Sequence, residues 1–202
     1  MNQVKPLEKR TLKCITKGYA VTEKADGMRY FIFINNIGEI YKIEKTKAIT
    51  LLDIKVSNKN SSIYNSLLDV EYIENINNSN MSNSNSKNTS KSNSKNTSKS
   101  KKLTDLFLLI DILIYNGRDI TTFKLEDRIS KLNEVSKLLP KNWKPKKYQI
   151  SNNNIHELAK KVYKKKYPYN LDGLIFTPTG VECEWNTNEC KKEYLKDDVK
   201  GK

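Results

Sequence analysis

Ten consecutive residues, LFLLIDILIY at 106–115, carry a single ionisable side chain below the tyrosine range, Asp111, among nine apolar or aromatic neighbours. The run is about half the ~18–20 apolar residues that a membrane span needs, and no other stretch of the chain is longer. Bounded by the turn pair Asn116-Gly117, it predicts a strand buried on both faces. Such a strand requires neighbours on either side and a layer above and below. Extended runs are predicted at Tyr19–Lys24, Arg29–Ile34, Glu39–Ile43 and within Ile63–Ile73; the second and third join through Asn35-Asn36-Ile37-Gly38 as a hairpin. Leu125, Ile129, Leu132, Val135, Leu138 and Leu139 recur at helical spacing, and Pro140 stops the run. Asn154 precedes a second helical stripe of Ile155, Leu158, Ala159, Val162 and Tyr163, with Glu157 at the capping-box position. Leu174-Ile175-Phe176 returns to strand. This order predicts an α+β fold with antiparallel sheets and flanking helices.

A length of 202 residues suits one domain, 1–202, interrupted at 77–102 by NNSNMSNSNSKNTSKSNSKNTSKSKK. There the octapeptide NSKNTSKS stands twice in tandem and Met81 is the one apolar residue, so nothing offsets the entropy of ordering. A disordered, low-complexity surface insert is predicted. Its six lysines and no acids carry +6 of the net charge of +14, leaving +8 on the rest. A surface this basic attracts polyanions, nucleic acid above all. Cys14, Cys183 and Cys190 form no C-x-x-C, and the N-terminus lacks the apolar stretch of a secretory signal. Free thiols in a reducing intracellular compartment are expected, with no membrane partner and no zinc site.

Polar residues cluster where the flanking sequence favours burial. Thr22-Glu23-Lys24-Ala25-Asp26-Gly27-Met28-Arg29 sets a lysine at a strand end, a carboxylate two residues on, a glycine turn and an arginine. A lysine attacks phosphorus only as the neutral amine, a role that arginine cannot fill because it keeps its proton. In Asp69-Val70-Glu71, alternation puts both acids on one strand face, suited to a metal ion or a sugar hydroxyl. Asp111 reads as a structural buried acid that needs a partner. Asp172-Gly173 precedes the last predicted strand. Read singly, each of these is also what a surface turn or a solvated strand face carries.

In this order, EKADGMR, LLDVEY, LFLLIDILIYNGRDI and LDGLIFTP resemble the mRNA capping enzyme guanylyltransferases. These belong to the covalent nucleotidyltransferase superfamily that also holds DNA and RNA ligases. The resemblance covers roughly Tyr19 to Pro178 and is nearest to the versions in large DNA viruses. It implies a nucleotidyltransferase catalytic domain, DNA-ligase-like and ATP-grasp-like in fold. It also implies an mRNA guanylyltransferase in which Lys24 is the catalytic nucleophile, attacks GTP and passes GMP from lysyl-GMP to a diphosphate-ended RNA 5′ end. Glu23, Lys24, Asp26, Gly27, Arg29, Glu71 and Asp172 are the implied nucleotide-binding residues. Among these, Arg29 takes the ribose, Glu71 the nucleotide sugar or the metal region, and Asp172 a catalytic Mg2+ or Mn2+. RNA contacts are expected from Lys141, Lys144, Lys146 and Lys147, and from Lys160, Lys161 and Lys164–Lys166. Partners would be GTP, RNA and other capping-enzyme domains or subunits, in cytoplasm, nucleus, virion or viral factory.

The chain departs from the family pattern at three places. Val70 replaces a glycine, with close approach of the nucleotide expected to suffer. Ile110 replaces an aromatic, leaving Phe107 or Tyr115 to stack on the base. The family's lysine pair after the DGLIF strand and its C-terminal OB-fold domain are missing, so a truncated, split or decayed enzyme is expected. Trp143-Lys144-Pro145 looks like that pair but stands in the wrong order, a decoy; Lys196, Lys200 and Lys202 are the substitutes. The alternatives are an ATP-dependent, ligase-like adenylyltransferase and a catalytically inactive RNA-binding remnant of the same fold.

Overall fold

The computed structural model describes residues 18–76, 104–150 and 154–180, together with Ile15. The insert at 77–102, the three cysteines and the lysines beyond position 180 lie outside the described residues.

Among the described residues, ten strands form two sheets. The larger is built on the hairpin of β2 (Met28–Ile34) and β3 (Glu39–Ile43). Its turn is tied by Asn35, whose Oδ1 accepts from the backbone N–H groups of Ile37 and Glu39. β4 (Ile49–Lys55) continues one edge. On the other side follow β5 (Ser66–Ile76), the long β6 (Thr104–Tyr115) and β7 (Arg118–Asp119), giving the order β4-β3-β2-β5-β6-β7. Every neighbouring pair on this path is antiparallel; β8 (Trp143–Pro145) adds to β6 in parallel. The smaller sheet has β1 (Tyr19–Ala25) between β10 (Leu171–Pro178) and β9 (Gln149–Ile150).

β6 is buried on both faces. Leu109 and Ile112 join Ile32, Ile34, Leu68 and Val70 in the main core, capped by Leu132 and Val135 of helix α1 (Leu125–Ser136). Leu106 and Leu108 point the other way, meeting Ala25 of the smaller sheet, Ile73 and Tyr169. This second cluster joins the sheets. Helix α2 (Ile155–Lys164) covers the smaller sheet by packing Ile155, Ala159 and Val162 on Ile15 and Val21. Its Asn154 cap accepts from the Glu157 backbone N–H at 3.1 Å.

Two helix expectations need adjustment. α1 ends at Ser136 rather than Leu139, because Lys137 and Leu138 bond back three residues and tighten the last turn. Tyr163 is 64% exposed; the inward stripe of α2 is already filled by residues three and four apart.

Candidate active site

Lys24 stands near the end of β1, where the pairing with β10 slips. Glu23 pairs with Leu174 and Ala25 with Leu171, so Asp172 and Gly173 together oppose the single residue Lys24. This is a β-bulge, which re-aims side chains. Gly173 takes a φ of 118°, a value glycine tolerates at little cost. The result is an ion pair between Lys24 Nζ and Asp172 Oδ2, with the Asp172 side chain 61% exposed.

The turn after Lys24 presses on β5. A Cβ on Gly27 would stand 2.7 Å from the Tyr72 carbonyl oxygen and 2.8 Å from Glu71 Cγ. Only glycine lets the turn lie this close. The Asp26 backbone N–H donates to the Asn170 carbonyl, and its side chain is exposed.

From that turn, β2 carries Arg29 alongside β5. Arg29 grips Asp69 through Nε at 2.8 Å and through its Nη2. This bond is the main reason the guanidinium binds its proton more tightly than usual, against the opposing effect of burial. Asp69 in turn pairs across strands with Asp111, which is held by three bonds from Arg128 Nε and Nη2 at 3.0–3.2 Å. Burial nevertheless raises the Asp111 carboxyl above its ordinary range; Arg128 opposes that rise. The hydroxyl of Tyr148 donates to the Ile110 carbonyl, and burial followed by the charges of Asp111 and Asp69 raises it as a phenol.

Asp69 and Glu71 do share one strand face. Both are buried, and Glu71 is held by Lys146, whose Nζ donates to Glu71 Oε2 at 2.6 Å and to the Glu23 carbonyl at 3.1 Å. Lys146 therefore ties the strand of Lys24 to the acidic strand. Its side chain is 0% exposed, which corrects its reading as a surface RNA contact. The Trp143-Lys144-Pro145 decoy forms β8, anchored by Phe107–Trp143 stacking at 4.3 Å, and it delivers Lys146 inward. The signal available in the sequence was Pro145, which biases its predecessor to extended backbone.

Glu23 points away from Lys24 along the strand. Its carboxylate is buried, accepting from Thr22 Oγ1 at 2.8 Å and from the Tyr169 hydroxyl at 3.0 Å. Burial, then the charge of Glu23, raises the Tyr169 phenol.

Two further expectations are corrected. Val70 faces the main core with 0% exposure, on the side opposite Asp69 and Glu71, so its side chain does not narrow the site. Phe107 and Tyr115 also pack against that core, the former stacked on Trp143 and 5.0 Å from Tyr72. Neither ring faces the acidic pair.

No cluster of three or more His, Cys, Asp or Glu arranged to hold a metal occurs among the described residues. Glu71, expected at the metal, is committed to Lys146. Asp172, paired with Lys24, is exposed. A magnesium-type ion takes one or two carboxylates and fills its shell with water and substrate phosphates, and this donor set fits it. Also among the described residues, no helix is long and apolar enough to cross a membrane.

Comparison with known proteins finds likenesses in sequence and in fold. The family model described as "mRNA capping enzyme, catalytic domain" matches residues 5–87. A curated protein of Acanthamoeba polyphaga mimivirus, described as "Probable mRNA-capping enzyme", is 30% identical over 159 residues, covering 75% of this chain. The chain spans only 11% of that relative's length. Among solved structures, one named Pmar-Lig_Pre aligns at TM-score 0.51 and 15% identity, over 85% of this chain and 41% of its own. A mycobacterial DNA ligase D solved with ATP and MES aligns at 0.48 and 12%, over 83% and 51%. By motif order and by the family-model and mimivirus matches, the chain is similar to the catalytic domain of mRNA capping enzymes.

Proposed function

We propose that the chain forms a covalent lysyl-GMP and transfers the GMP to a diphosphate-ended RNA. The observation that carries this reading is the bulge that sets Asp172 against Lys24, beside a turn pressed onto Glu71. Attack requires the neutral amine, so the ion pair opens and the amine gives up a proton. A P–N bond then forms from Nζ to the α-phosphorus of GTP as the P–O bond to pyrophosphate breaks. In the second step a β-phosphate oxygen of the RNA attacks the same phosphorus, the P–N bond breaks and the lysine recovers its proton. Arg29, fixed by Asp69, is the ribose contact, and Glu71, fixed by Lys146, lies on the sugar side. Asp172 is the residue that would hold Mg2+ or Mn2+. When bound, the ion neutralises triphosphate charge and favours departure of pyrophosphate. Other steps of cap formation belong to other domains or subunits.

Incubation with α-labelled GTP and magnesium tests the reading. A covalent label from GTP and not ATP, lost in Lys24→Ala, is the expected result; the capping-enzyme family match favours GTP. An ATP-only label would make the chain a ligase-like adenylyltransferase. No label from either nucleotide on folded protein would leave an inactive remnant of the fold.

A further inference from the structure

Lys146 and Lys147 are consecutive but serve different surroundings. Lys146 is buried against Glu71, whereas Lys147 is exposed and lines a cavity of about 190 Å³ with Gln149, Lys161, Val162, Lys165 and Tyr167. That volume falls below the roughly 300–1,000 Å³ of small-molecule pockets, so it fits part of an extended polymer better than a whole free nucleotide. The sequence that builds it is strongly basic. Residues 137–171 contain ten lysines and one acid, Glu157, and that acid is paired with Lys160 at 2.7 Å.

Rings alternate with these cations. Just beyond α2, Lys165 Nζ lies 5.3 Å from the centroid of the Tyr167 ring, and Tyr163 within α2 is 64% exposed. Cations that follow a phosphate backbone, interleaved with rings on which bases stack, suit a single strand. The cavity is also linked to the nucleophile's strand. Tyr167 contacts Tyr169 at 5.6 Å between ring centroids, Tyr169 donates to Glu23, and Glu23 precedes Lys24.

We infer that this cavity holds the phosphate backbone of the single-stranded RNA acceptor, behind the 5′ end that receives the GMP. The inference rests on the guanylyl-transfer reading and adds the acceptor's path to it.

The probe is a fluorescein-labelled single-stranded RNA of about twelve nucleotides with a 5′ diphosphate, titrated with the full chain by anisotropy. The double variant Lys161→Glu/Lys165→Glu is expected to weaken binding by about tenfold or more. It should also lower the slope of log K against log salt by about 1.4, for two lost phosphate contacts. Tyr163→Ala, which keeps every charge, should weaken binding about fivefold. Lys45→Glu/Lys47→Glu makes the same change of net charge at the β3–β4 turn and should have little effect. Equal losses from the two lysine pairs, or none from the cavity pair, would overturn the inference. So would equally tight binding of the matching duplex that ignores Tyr163→Ala. Labelling of the unsubstituted chain with GTP, in the absence of RNA, reports separately on Lys24. A chain that labels but binds RNA without regard to the cavity loses only the inference. One that binds through the cavity and never labels loses the acceptor role together with the transfer reaction.

Discussion

Gly27 and Gly173 fail in different ways when a methyl group is added. At Gly27 the new Cβ meets backbone oxygen at 2.7 Å, so β5 or the turn must shift. Gly27→Ala is expected to cost about 1–3 kcal/mol, as overpacking does, and to remove covalent labelling with it. At Gly173 no atom lies within 4 Å of the added Cβ, and the difficulty is the φ of 118°. β10 is an edge strand, so the bulge can relax at small cost in stability, but Asp172 then leaves Lys24. Gly173→Ala should lower the labelling rate by roughly a hundredfold, the scale of a misplaced reacting group. It should shift the melting temperature far less than Gly27→Ala, and a comparison of labelling rate with melting curve checks both. An unchanged rate in Gly173→Ala would disconnect the bulge from the chemistry. The same residues mark how far the sequence could be read. K-x-D-G-x-R and D-G were legible because glycine and charge at fixed spacing imply a turn with polar neighbours. Lys146 was not, since a lysine within KPKKYQI has no local mark of burial; its position depends on Glu71, 75 residues away.

Among the elements, those with strong periodicity or long apolar runs were readable: the β2–β3 hairpin, β6, both helices and β10. β8 and β9 span three and two residues, too short for any alternation to register. β4 is an edge strand with Ile49 and Leu51 66% and 56% exposed, so its residues give no inside-outside pattern. The pairing of α1 with β6 through Arg128 and Asp111 joins two readable elements by a contact that no local pattern announces. Burial holds the Asp111 carboxyl above its ordinary 3.8, so the folded chain binds that proton more tightly than the unfolded one. The associated stabilisation is fully present below pH 3.8 and is lost as the pH rises through the raised value. Relative to Asp111→Asn, which cannot titrate there, the chain should lose stability over that rise; urea unfolding of both from acid to neutral pH measures it. A gap that widens in favour of the chain as pH rises would contradict the assignment. Arg128→Ala, which strands the acid, should cost about 3–5 kcal/mol by the same unfolding measurement.

For the whole molecule, the cluster of Ala25, Ile73, Leu106 and Leu108 joins the two sheets. β5 and β6 are antiparallel neighbours whose last pair is Ile76 with Thr104, and 27 residues connect them where a short turn would reach. Closing a flexible loop costs about (3/2)RT ln n, so replacing this connection by about four turn residues should stabilise the fold by about 1.5–2 kcal/mol. At this chain length that corresponds to a melting temperature higher by about 5 °C. The replacement also removes six lysines and leaves a net charge of +8, which should weaken the background attraction to RNA. If the cavity beside α2 carries the acceptor strand, the proportional loss on Lys161→Glu/Lys165→Glu persists in the shortened chain. Insoluble protein or a lower melting temperature would instead mean that residues 77–102 contribute contacts to the folded domain, against their composition.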